Sequence, residues 1–216
     1  METISIIGGT GKQGKGLALR LGKAGYSIVL GSRSLEKAMQ VAIEIKEKNP
    51  AICIEGVDNT SAAERGTIVF LTIPFRSQEE IIEPLKEYLN RKIVVDTTVA
   101  LIPGKPPTTE IVQEGSAAEK LQRLLGPEIQ VVSAFHTISA HMLENLDQEL
   151  QGDTLVAGDH EPAKDRVIQL ANQLGLRGLN AGPLHVSSTL EKMTALLIGM
   201  NMRYKRKSIG VSFTNI

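Results

Sequence analysis

The chain has 216 residues, of which 42% are hydrophobic and 22% charged, and its 24 acidic and 24 basic side chains cancel. This length predicts one substantial domain, and the balanced charge gives no global field that would attract nucleic acid or a membrane surface. No apolar run approaches the roughly 18 residues of a membrane helix, and no secretory leader is recognisable, so a cytoplasmic location is expected. The single cysteine, Cys53, excludes an internal disulfide, and its aliphatic neighbours predict a buried strand position.

Short apolar segments alternate with amphipathic segments along most of the chain. The apolar segments predict strands over residues 3–7, 27–31, 51–56, 67–72, 92–96, 129–134 and 153–158. Helices are predicted over residues 12–24, 34–48, 77–90, 116–125 and 161–174, with Gly25 and Gly175 as helix stops. Nearly continuous hydrophobicity is typical of parallel strands that are covered on both faces. The predicted fold class is therefore α/β, a Rossmann-type, doubly wound and mainly parallel sheet.

Two segments interrupt this alternation. Residues 97–115 form a long connection with three prolines, which is typical of a lid or of a wall of a binding site. After residue 184, one helical run over 188–207 nearly completes the chain. We therefore divide the chain into a Rossmann domain over residues 1–180 and a short C-terminal helical segment over residues 181–216.

A glycine-rich turn lies between the first predicted strand and the first predicted helix. It contains Gly9-x-Gly11-x-x-Gly14, in which Gly9 permits a tight turn and Gly11 lets the backbone approach a pyrophosphate. Gly14 lets the helix pack closely on the strand, and the free N–H groups of the helix attract phosphates. This placement predicts a dinucleotide-binding site rather than a merely structural turn.

The end of the second predicted strand indicates which dinucleotide is bound. An NAD site usually has an Asp or Glu there for the ribose 2′-hydroxyl, but this chain has Ser32 and Arg33, with Lys37 one helical turn further. A guanidinium binds a phosphate in a bidentate manner, whereas a carboxylate would repel it. With Thr10 as a further donor, these residues predict NADP(H).

The segments GGTGKQGKGLALRL, GSRSLEKA, LTIPF, SAFHTI and NAGPL, in this order, resemble the coenzyme F420-dependent NADP oxidoreductases. Members of that family are small Rossmann proteins that pass a hydride between NADP(H) and a deazaflavin coenzyme, and the resemblance covers almost the full chain. It implies coenzyme contacts at the pyrophosphate, the 2′-phosphate and the nicotinamide. The cofactor-binding residues expected are Gly9, Thr10, Gly11, Lys12, Gln13, Gly14, Ser32, Arg33, Lys37, Thr72, Ile73, Pro74, Val99 and Ala140.

The resemblance also implies that His136 and Ile138 lie between the nicotinamide and the deazaflavin. Both coenzymes carry their own reactivity, so the protein has to hold the two reacting carbons at roughly 3–3.5 Å and exclude water. We hypothesise that His136 hydrogen-bonds the deazaflavin carbonyl edge and stabilises charge that develops there. His136, Ile138 and Thr194 are the catalytic candidates.

Other features are interpreted more simply. His141 and His160 are interpreted as surface histidines, and no metal site is predicted. The basic run at 203–207 is interpreted as a solvated helix end, with binding of the anionic tail of the deazaflavin coenzyme as the alternative. The C-terminal helix is apolar on much of its circumference, and together with the resemblance this favours a homodimer whose partners are small-molecule redox coenzymes.

The chain departs from the family pattern after residue 184. Where the family has an arginine and a serine, this chain has Ser188 and Lys192, whereas the threonine is present as Thr194. The departures leave open an NADPH-dependent reductase of another acceptor, such as a flavin or a small carbonyl or imine compound. A non-catalytic NADPH-sensing module is a further alternative. A short-chain dehydrogenase, with Tyr88 and Lys92 as its catalytic pair, is discounted because Lys92 opens a predicted strand.

Overall fold

Helices cover both faces of an eight-stranded sheet in the computed structural model, which describes residues 2–216. The strands are β1 (Thr3–Ile7), β2 (Ser27–Ser32), β3 (Ile54–Asp58), β4 (Ile68–Leu71), β5 (Ile93–Asp96), β6 (Leu101–Ile102), β7 (Thr108–Thr109), β8 (Gln130–Ser133), β9 (Asp153–Gly158) and β10 (Arg177–Gly182). The helices are α1 (Lys12–Lys23), α2 (Leu35–Lys48), α3 (Asn59–Arg65), α4 (Gln78–Ile82), α5 (Ala117–Leu125), α6 (Ala140–Glu144), α7 (Glu161–Gln173) and α8 (Ser187–Arg203). Strands β6 and β7 form a separate antiparallel hairpin.

The strand order of the large sheet is β10-β9-β8-β5-β4-β1-β2-β3. The six strands from β8 to β3 are parallel, and β9 pairs antiparallel with β8. The order reverses between β1 and β4, so the connections that leave the carboxyl ends of these two strands diverge and open a crevice. The predicted class, a Rossmann-type and mainly parallel α/β sheet followed by a C-terminal helix, is confirmed.

The central strands are hydrophobic on both sides because each side of the sheet has its own core. Ile4, Ile6 and Phe70 lie in the core under α1, α2 and α7, whereas Val69 and Leu71 lie in the core under α3, α4 and α5. Each of these side chains is fully buried. Burial on both faces explains why β1 and β4 were recognisable as short continuous apolar runs.

Several predicted boundaries are wrong. The strand predicted over 51–56 is β3 at residues 54–58, and the helix predicted over 77–90 is the five-residue α4 followed by a 3₁₀ helix, Glu83–Leu89. Pro84 lies at the start of that 3₁₀ helix and lacks the N–H group that a continuous α-helix would use. Helices α3 and α6, the hairpin and β10 were not predicted. Strand β10, RGLNAG, lies at the sheet edge and has little apolar character.

The prediction for Cys53 is also wrong. Cys53 is exposed and precedes β3, although its carbonyl accepts a hydrogen bond from Ile28 N at 2.9 Å. Its neighbours Ile52 and Ile54 are buried. Because successive side chains in extended backbone point to opposite sides, burial of these two isoleucines directs Cys53 to solvent.

The C-terminal part of the chain packs on the long connection and on the sheet edge. The hairpin contacts α8 closely, since a Cβ built at Gly199 would lie 3.2 Å from Pro106 Cβ. Residues 208–213, which we call the C-terminal strap, return to β9, where Asp153 N donates to Val211 O at 2.7 Å. Helix α8 buries Leu190 and Leu197 but leaves Leu196 60% exposed. Between residues 2 and 216 no helix is both long and apolar enough to cross a membrane.

Candidate functional site

The turn after β1 runs from Gly8 to Gly11, where Gly11 N donates to Gly8 O at 3.2 Å, so Gly9 is one of its two central residues. Gly8 has a φ of +73°, which side-chain-bearing residues rarely adopt, and it also shapes the turn. Gly9 is needed for packing as well, because a Cβ there would lie 2.7 Å from Leu30 Cγ. The first glycine of the pattern therefore lies within the turn and packs against β2.

Gly14 brings α1 against the ends of β1 and β4. A Cβ at Gly14 would lie 2.6 Å from Gly9 Cα and 2.6 Å from Thr72 Oγ1, so no larger residue fits. Gly11 is the N-cap of α1 and has no side chain to bind the N–H groups of the first turn, and that turn contains no acidic residue. These N–H groups remain available to an anion, which fits the predicted pyrophosphate site.

A cavity of about 460 Å³, which we call the rear cavity, opens beside this turn. Arg33 and Lys37 line it and are exposed, and neither forms an ion pair with a carboxylate in residues 2–216. Two free cations beside a helix N-terminus suit a phosphate group. The predicted residues that line the rear cavity are Thr10, Gly11, Ser32, Arg33, Lys37, Thr72, Ile73 and Pro74.

Asn59 belongs to this site and was not predicted. It lines the rear cavity at the start of α3, and its Oδ1 accepts a hydrogen bond from Gly8 N at 3.4 Å. Asp58, the N-cap of α3, accepts from Ser61 N at 2.9 Å. The sequence DNTS contains this capping signal, and recognising it would have placed Asn59 at the carboxyl end of β3.

A second cavity, of about 360 Å³, continues from the rear cavity and is called the central cavity here. Its walls combine the carboxyl end of β4 with the start of the long connection, and they include Val99. The two cavities share Gly11, Thr72, Ile73 and Pro74. The connection 97–115 therefore forms one wall of the cleft. A binding wall is one of the two roles, lid or wall, that the sequence predicts for it.

The segment after β8 turns sharply before His136. Phe135 has a φ of +64° and is almost fully buried, with its ring centroid 5.6 Å from that of Phe70. A bulky residue in this conformation is costly and persists only where packing determines it. The turn brings the next residues, His136 and Ile138, to the end of the central cavity.

His136 is held by hydrogen bonds from two sides. Its Nε2 lies 3.1 Å from Thr98 O, and its own carbonyl accepts from Thr194 Oγ1 at 2.9 Å. A carbonyl only accepts, so Nε2 carries the proton and Nδ1, which is buried without a partner, has a free lone pair. Burial lowers the pKa of the imidazole to about 4, against the opposing effect of Thr98 O. The ring is therefore neutral at physiological pH, and its only N–H is already used.

A third cavity, of about 610 Å³, lies beyond His136 and is called the front cavity here. Lys12, Arg206 and Lys207 line it, so three cations surround a largely apolar space. The central and front cavities share Lys12, Gln13, His136, Ile138 and Thr194. Ala140 and His141 also line the front cavity, and His141 is exposed, as its interpretation as a surface histidine predicts. A side cavity of about 470 Å³ adjoins it, behind Ile138 and the C-terminal strap.

Some candidates from the sequence lie elsewhere. Ser188 and Lys192 line none of these four cavities. His160 is the N-cap of α7, where its Nδ1 accepts from Ala163 N at 3.2 Å.

Lys92 donates to Ala63 O at 2.6 Å and lies outside any helix that carries Tyr88, which confirms the exclusion of a short-chain dehydrogenase pair. In the part of the chain that the structure describes, no group of three His, Cys, Asp or Glu side chains is placed to hold a metal.

The fold and the cleft together define a Rossmann-type nicotinamide-dinucleotide oxidoreductase. The sequence model of the family described as NADP oxidoreductase, coenzyme F420-dependent, matches residues 3–100. The chain is 43% identical to the F420-dependent NADP reductase of Methanocaldococcus jannaschii, over 99% of this chain and 98% of that protein. The corresponding reductase of Methanothermobacter marburgensis is 35% identical over the same shares. The chain belongs to the coenzyme F420-dependent NADP oxidoreductase family.

More distant solved structures share the fold. A hypothetical protein from Sinorhizobium meliloti aligns with a TM-score of 0.71 at 23% identity, over 87% of this chain and 88% of that one. A pyrroline-5-carboxylate reductase from Coxiella burnetii aligns with a TM-score of 0.62 at 20% identity, over 94% of this chain and 65% of that one. These likenesses support the architecture of the sheet and its flanking helices.

Proposed function

We propose that this protein transfers a hydride between NADP(H) and coenzyme F420, bound on opposite sides of His136 and Ile138. The observation that carries the proposal is the continuity of the cleft. The central and front cavities meet at His136, Ile138 and Thr194, so two planar rings have one common contact surface. The family relatives are named F420-dependent NADP reductases, which supplies the identity of the second coenzyme.

The rear and central cavities are assigned to NADP(H). The first-turn N–H groups of α1 bind the pyrophosphate, and Ser32, Arg33 and Lys37 bind the 2′-phosphate. Val99 and Ile73 cover the nicotinamide side of the central cavity. The remaining cofactor residues proposed in this half are Gly9, Thr10, Gly11, Lys12, Gln13, Gly14, Thr72 and Pro74.

The front cavity is assigned to the deazaflavin, with Ala140 on its wall. Lys12, Arg206 and Lys207 outnumber the one carboxylate of its lining, Glu144, and give its walls a net positive charge that suits the anionic groups of a coenzyme. Ser188 and Lys192, which replace polar residues of the family pattern, lie away from this cavity, so the three cations take over the recognition of charge.

The chemistry of hydride donation and acceptance belongs to the two coenzymes when they are bound. The protein contributes position and the exclusion of water, because Ile73 and Ile138 are both more than 90% buried at the cleft. Thr194 fixes the backbone of His136, and neutral His136 adds no charge between the rings. Because its N–H is bound to Thr98 O and its Nδ1 is buried, His136 presents neither ring nitrogen to the deazaflavin in this arrangement, and the donor role hypothesised from the sequence requires the bond to Thr98 O to be exchanged.

Coenzyme choice is tested by neutral substitutions at the two free cations. Arg33→Gln and Lys37→Gln are each expected to lower kcat/KM for NADPH by about 10–100-fold, the worth of a charge-assisted phosphate contact, with little effect on NADH. Lys46→Gln is the matched control, because Lys46 is also exposed on α2 but does not line the cavity. An unchanged NADPH preference in both variants would exclude the assignment of the rear cavity.

The acceptor is tested directly. Anaerobic stopped-flow oxidation of NADPH is expected to be fast with purified coenzyme F420 and at least ~100-fold slower with free FMN, since the front cavity has to orient its ligand. Preferential reduction of FMN, or of a small carbonyl or imine compound, would establish instead the alternative NADPH-dependent reductase. Tight NADPH binding without turnover of any acceptor would indicate a sensing module.

We also propose the division into an NADP-binding unit at residues 1–180 and an acceptor segment at residues 181–216, and a cytoplasmic homodimer. Thr194 and Arg206 support the first point, because both come from the C-terminal segment and both line the front cavity. Leu196 and Met202 on α8 and Ile102 on the hairpin, which packs on α8, are exposed apolar side chains that support the homodimer. Light scattering is expected to give twice the chain mass of 23.4 kDa, and a monomeric mass would exclude the dimer.

A further inference from the structure

Helix α1 contacts residues 140–148 along one of its faces. Gly16, Arg20 and Lys23 lie at intervals of four and three residues, so they share one side of α1. Lys23 Nζ donates to Leu146 O at 3.2 Å, and the other two residues make the contacts described below. The first turn of α1 and the residues of α6 both line the front cavity. We call the place where the two helices meet the α1–α6 contact.

Gly16 lets α6 approach α1 closely. A Cβ at Gly16 would lie 2.5 Å from Leu143 Cβ and 3.3 Å from Glu144 N. Leu143 Cβ is bonded directly to the backbone, so it cannot rotate away, and α6 would have to move as a unit. A glycine inside a helix is costly, and this close approach is the reason for it.

Arg20 fixes the same contact by hydrogen bonds. The residue is only 7% exposed, and its guanidinium is hydrogen-bonded to four carbonyl oxygens of α6 and of the loop that follows. The acceptors are Leu143 O at 3.1 Å, Met142 O at 2.7 Å, Gln148 O at 2.8 Å and Asn145 O. The last carbonyl groups of a helix have no partner within it, so the guanidinium supplies donors that α6 lacks.

The charge of Arg20 depends on these carbonyl groups. No carboxylate in residues 2–216 forms an ion pair with Arg20. Burial lowers the pKa of its guanidinium from the usual value, but an arginine stays charged in a protein. A buried charge is costly unless hydrogen bonds satisfy it. Residues 142–148 therefore cannot move away from α1 without leaving this charge unsatisfied.

We propose that Gly16 and Arg20 are positioning residues for the acceptor, because the α1–α6 contact that they form sets the width of the front cavity. The functional part of this inference rests on the proposed hydride transfer to coenzyme F420. Gly16 determines how closely α6 approaches α1, and Arg20 holds α6 at that distance. Because α1 also begins at the proposed pyrophosphate site, the contact fixes one wall of the acceptor cavity relative to the dinucleotide.

Two substitutions should separate α1 and α6 by different means. Gly16→Ala inserts a methyl group into the contact, whereas Arg20→Met keeps an apolar side chain and removes the guanidinium. In each variant the KM for coenzyme F420, at saturating NADPH, should rise at least ~10-fold, since a misplacement of about 1 Å is enough to impair positioning. The KM for NADPH should stay nearly unchanged, because Arg33 and Lys37 lie on other elements.

Gly22→Ala is the matched control. Gly22 is also a buried residue of α1, but a Cβ there would overlap Ile52 Cγ2 and would not meet α6. The control therefore receives the same methyl group on the same helix, and any general effect on α1 or on stability is shared with Gly16→Ala. Its KM for coenzyme F420 should equal that of the wild type.

The hold on α6 is also measured without any coenzyme. Several amides of α6 and its loop are hydrogen-bonded within the segment, so their protection reports how firmly the segment is held. Amide hydrogen exchange in residues 140–148 should be at least ~10-fold faster in Gly16→Ala and Arg20→Met than in Gly22→Ala, at the same pH.

Gly16→Ala and Arg20→Met are independent, so one decides the question if the other does not fold. An unchanged KM for coenzyme F420 would overturn the positioning role, and so would an equal rise in Gly22→Ala or an equal rise in the KM for NADPH. Equal exchange rates in the three variants would show that the contact does not hold α6. If no turnover of coenzyme F420 is found at all, the proposed function fails, while the exchange measurement still decides whether the contact positions α6.

Discussion

Asp153 is a buried carboxylate that ties the C-terminal strap to the sheet. Its oxygens accept from the Arg177 guanidinium at 2.9 and 2.7 Å and from Phe213 N at 2.5 Å, while its own N–H donates to Val211 O. Its carbonyl accepts from the hydroxyl of Thr137 at 2.8 Å. One residue therefore holds both the strap and the loop after β8, which are walls of the front and side cavities.

The substitution Asp153→Asn keeps the shape but replaces one acceptor oxygen with an NH₂ donor. At least one contact, from Arg177 or from Phe213 N, is then lost. A hydrogen bond to a charged group contributes about 1.5–3 kcal/mol, and Arg177 recovers some water because its side chain is 42% exposed. We expect a loss of about 2 kcal/mol, which corresponds to a fall in Tm of roughly 4–8 °C for a chain of this length.

Limited proteolysis shows whether the loss is local to the strap. Trypsin sites at Lys205, Arg206 and Lys207 are exposed just before it. Cleavage there should be ~10–30-fold faster in Asp153→Asn, because opening of the strap becomes more frequent by that factor. The KM for coenzyme F420 should rise and the KM for NADPH should not, since the rear cavity is formed by other elements.

Asp165→Asn is the matched control, at an exposed site on α7 without an ion pair. Equal cleavage rates and equal Tm values in the two variants would refute the reasoning. The hydrogen bond from Arg177 lowers the pKa of the Asp153 carboxyl. Its contribution is therefore complete above about pH 4 and is lost as the pH falls further, so acid should release the strap in the wild type but change little in Asp153→Asn.

Three further substitutions test separate parts of the structure. Gly14→Ala places a Cβ 2.6 Å from Gly9 Cα, so calorimetry should show at least ~10-fold weaker NADP binding with α1 displaced. Arg20→Met removes hydrogen bonds to carbonyls of residues 142–148, and the Tm should fall by about 4–8 °C. Phe70→Ala empties a fully buried site and should lower the free energy of unfolding by about 3–5 kcal/mol in urea titrations.

The nucleotide half of the protein was predictable because its signals are local. A buried strand, a glycine turn and a helix follow one another within residues 3–23, and each imposes its own residue pattern. Arg33 and Lys37 were predicted in the same way, by their distance from the end of β2, and both line the rear cavity. Even here the backbone decided one detail, because Gly8, which lies outside the predicted glycine pattern, has the positive φ at the start of the turn.

The acceptor half was less predictable because its contacts join distant parts of the chain. Thr194 donates a hydrogen bond to the carbonyl of His136, which lies 58 positions earlier in the sequence. Strand β10 escaped prediction because an edge strand needs no apolar run. Arg206 and Lys207 were interpreted as a solvated helix end, and only the departure of the chain from α8 after Arg203 places them at the front cavity.

The nucleotide half and the acceptor half of the protein should respond differently to substitution. In the proposed assignment, NADP is held mainly by backbone N–H groups and by exposed cations, so a change at Arg33 should alter coenzyme preference without moving the fold. The acceptor side is held by side-chain hydrogen bonds between elements, from Thr137 to Asp153 O and from Thr194 to His136 O. Removing one of them releases a backbone segment as well as a contact, because each bond fixes the loop that carries His136 and Ile138. Variants on this side should therefore change acceptor KM, kcat and stability together, whereas variants in the rear cavity should change NADPH affinity alone.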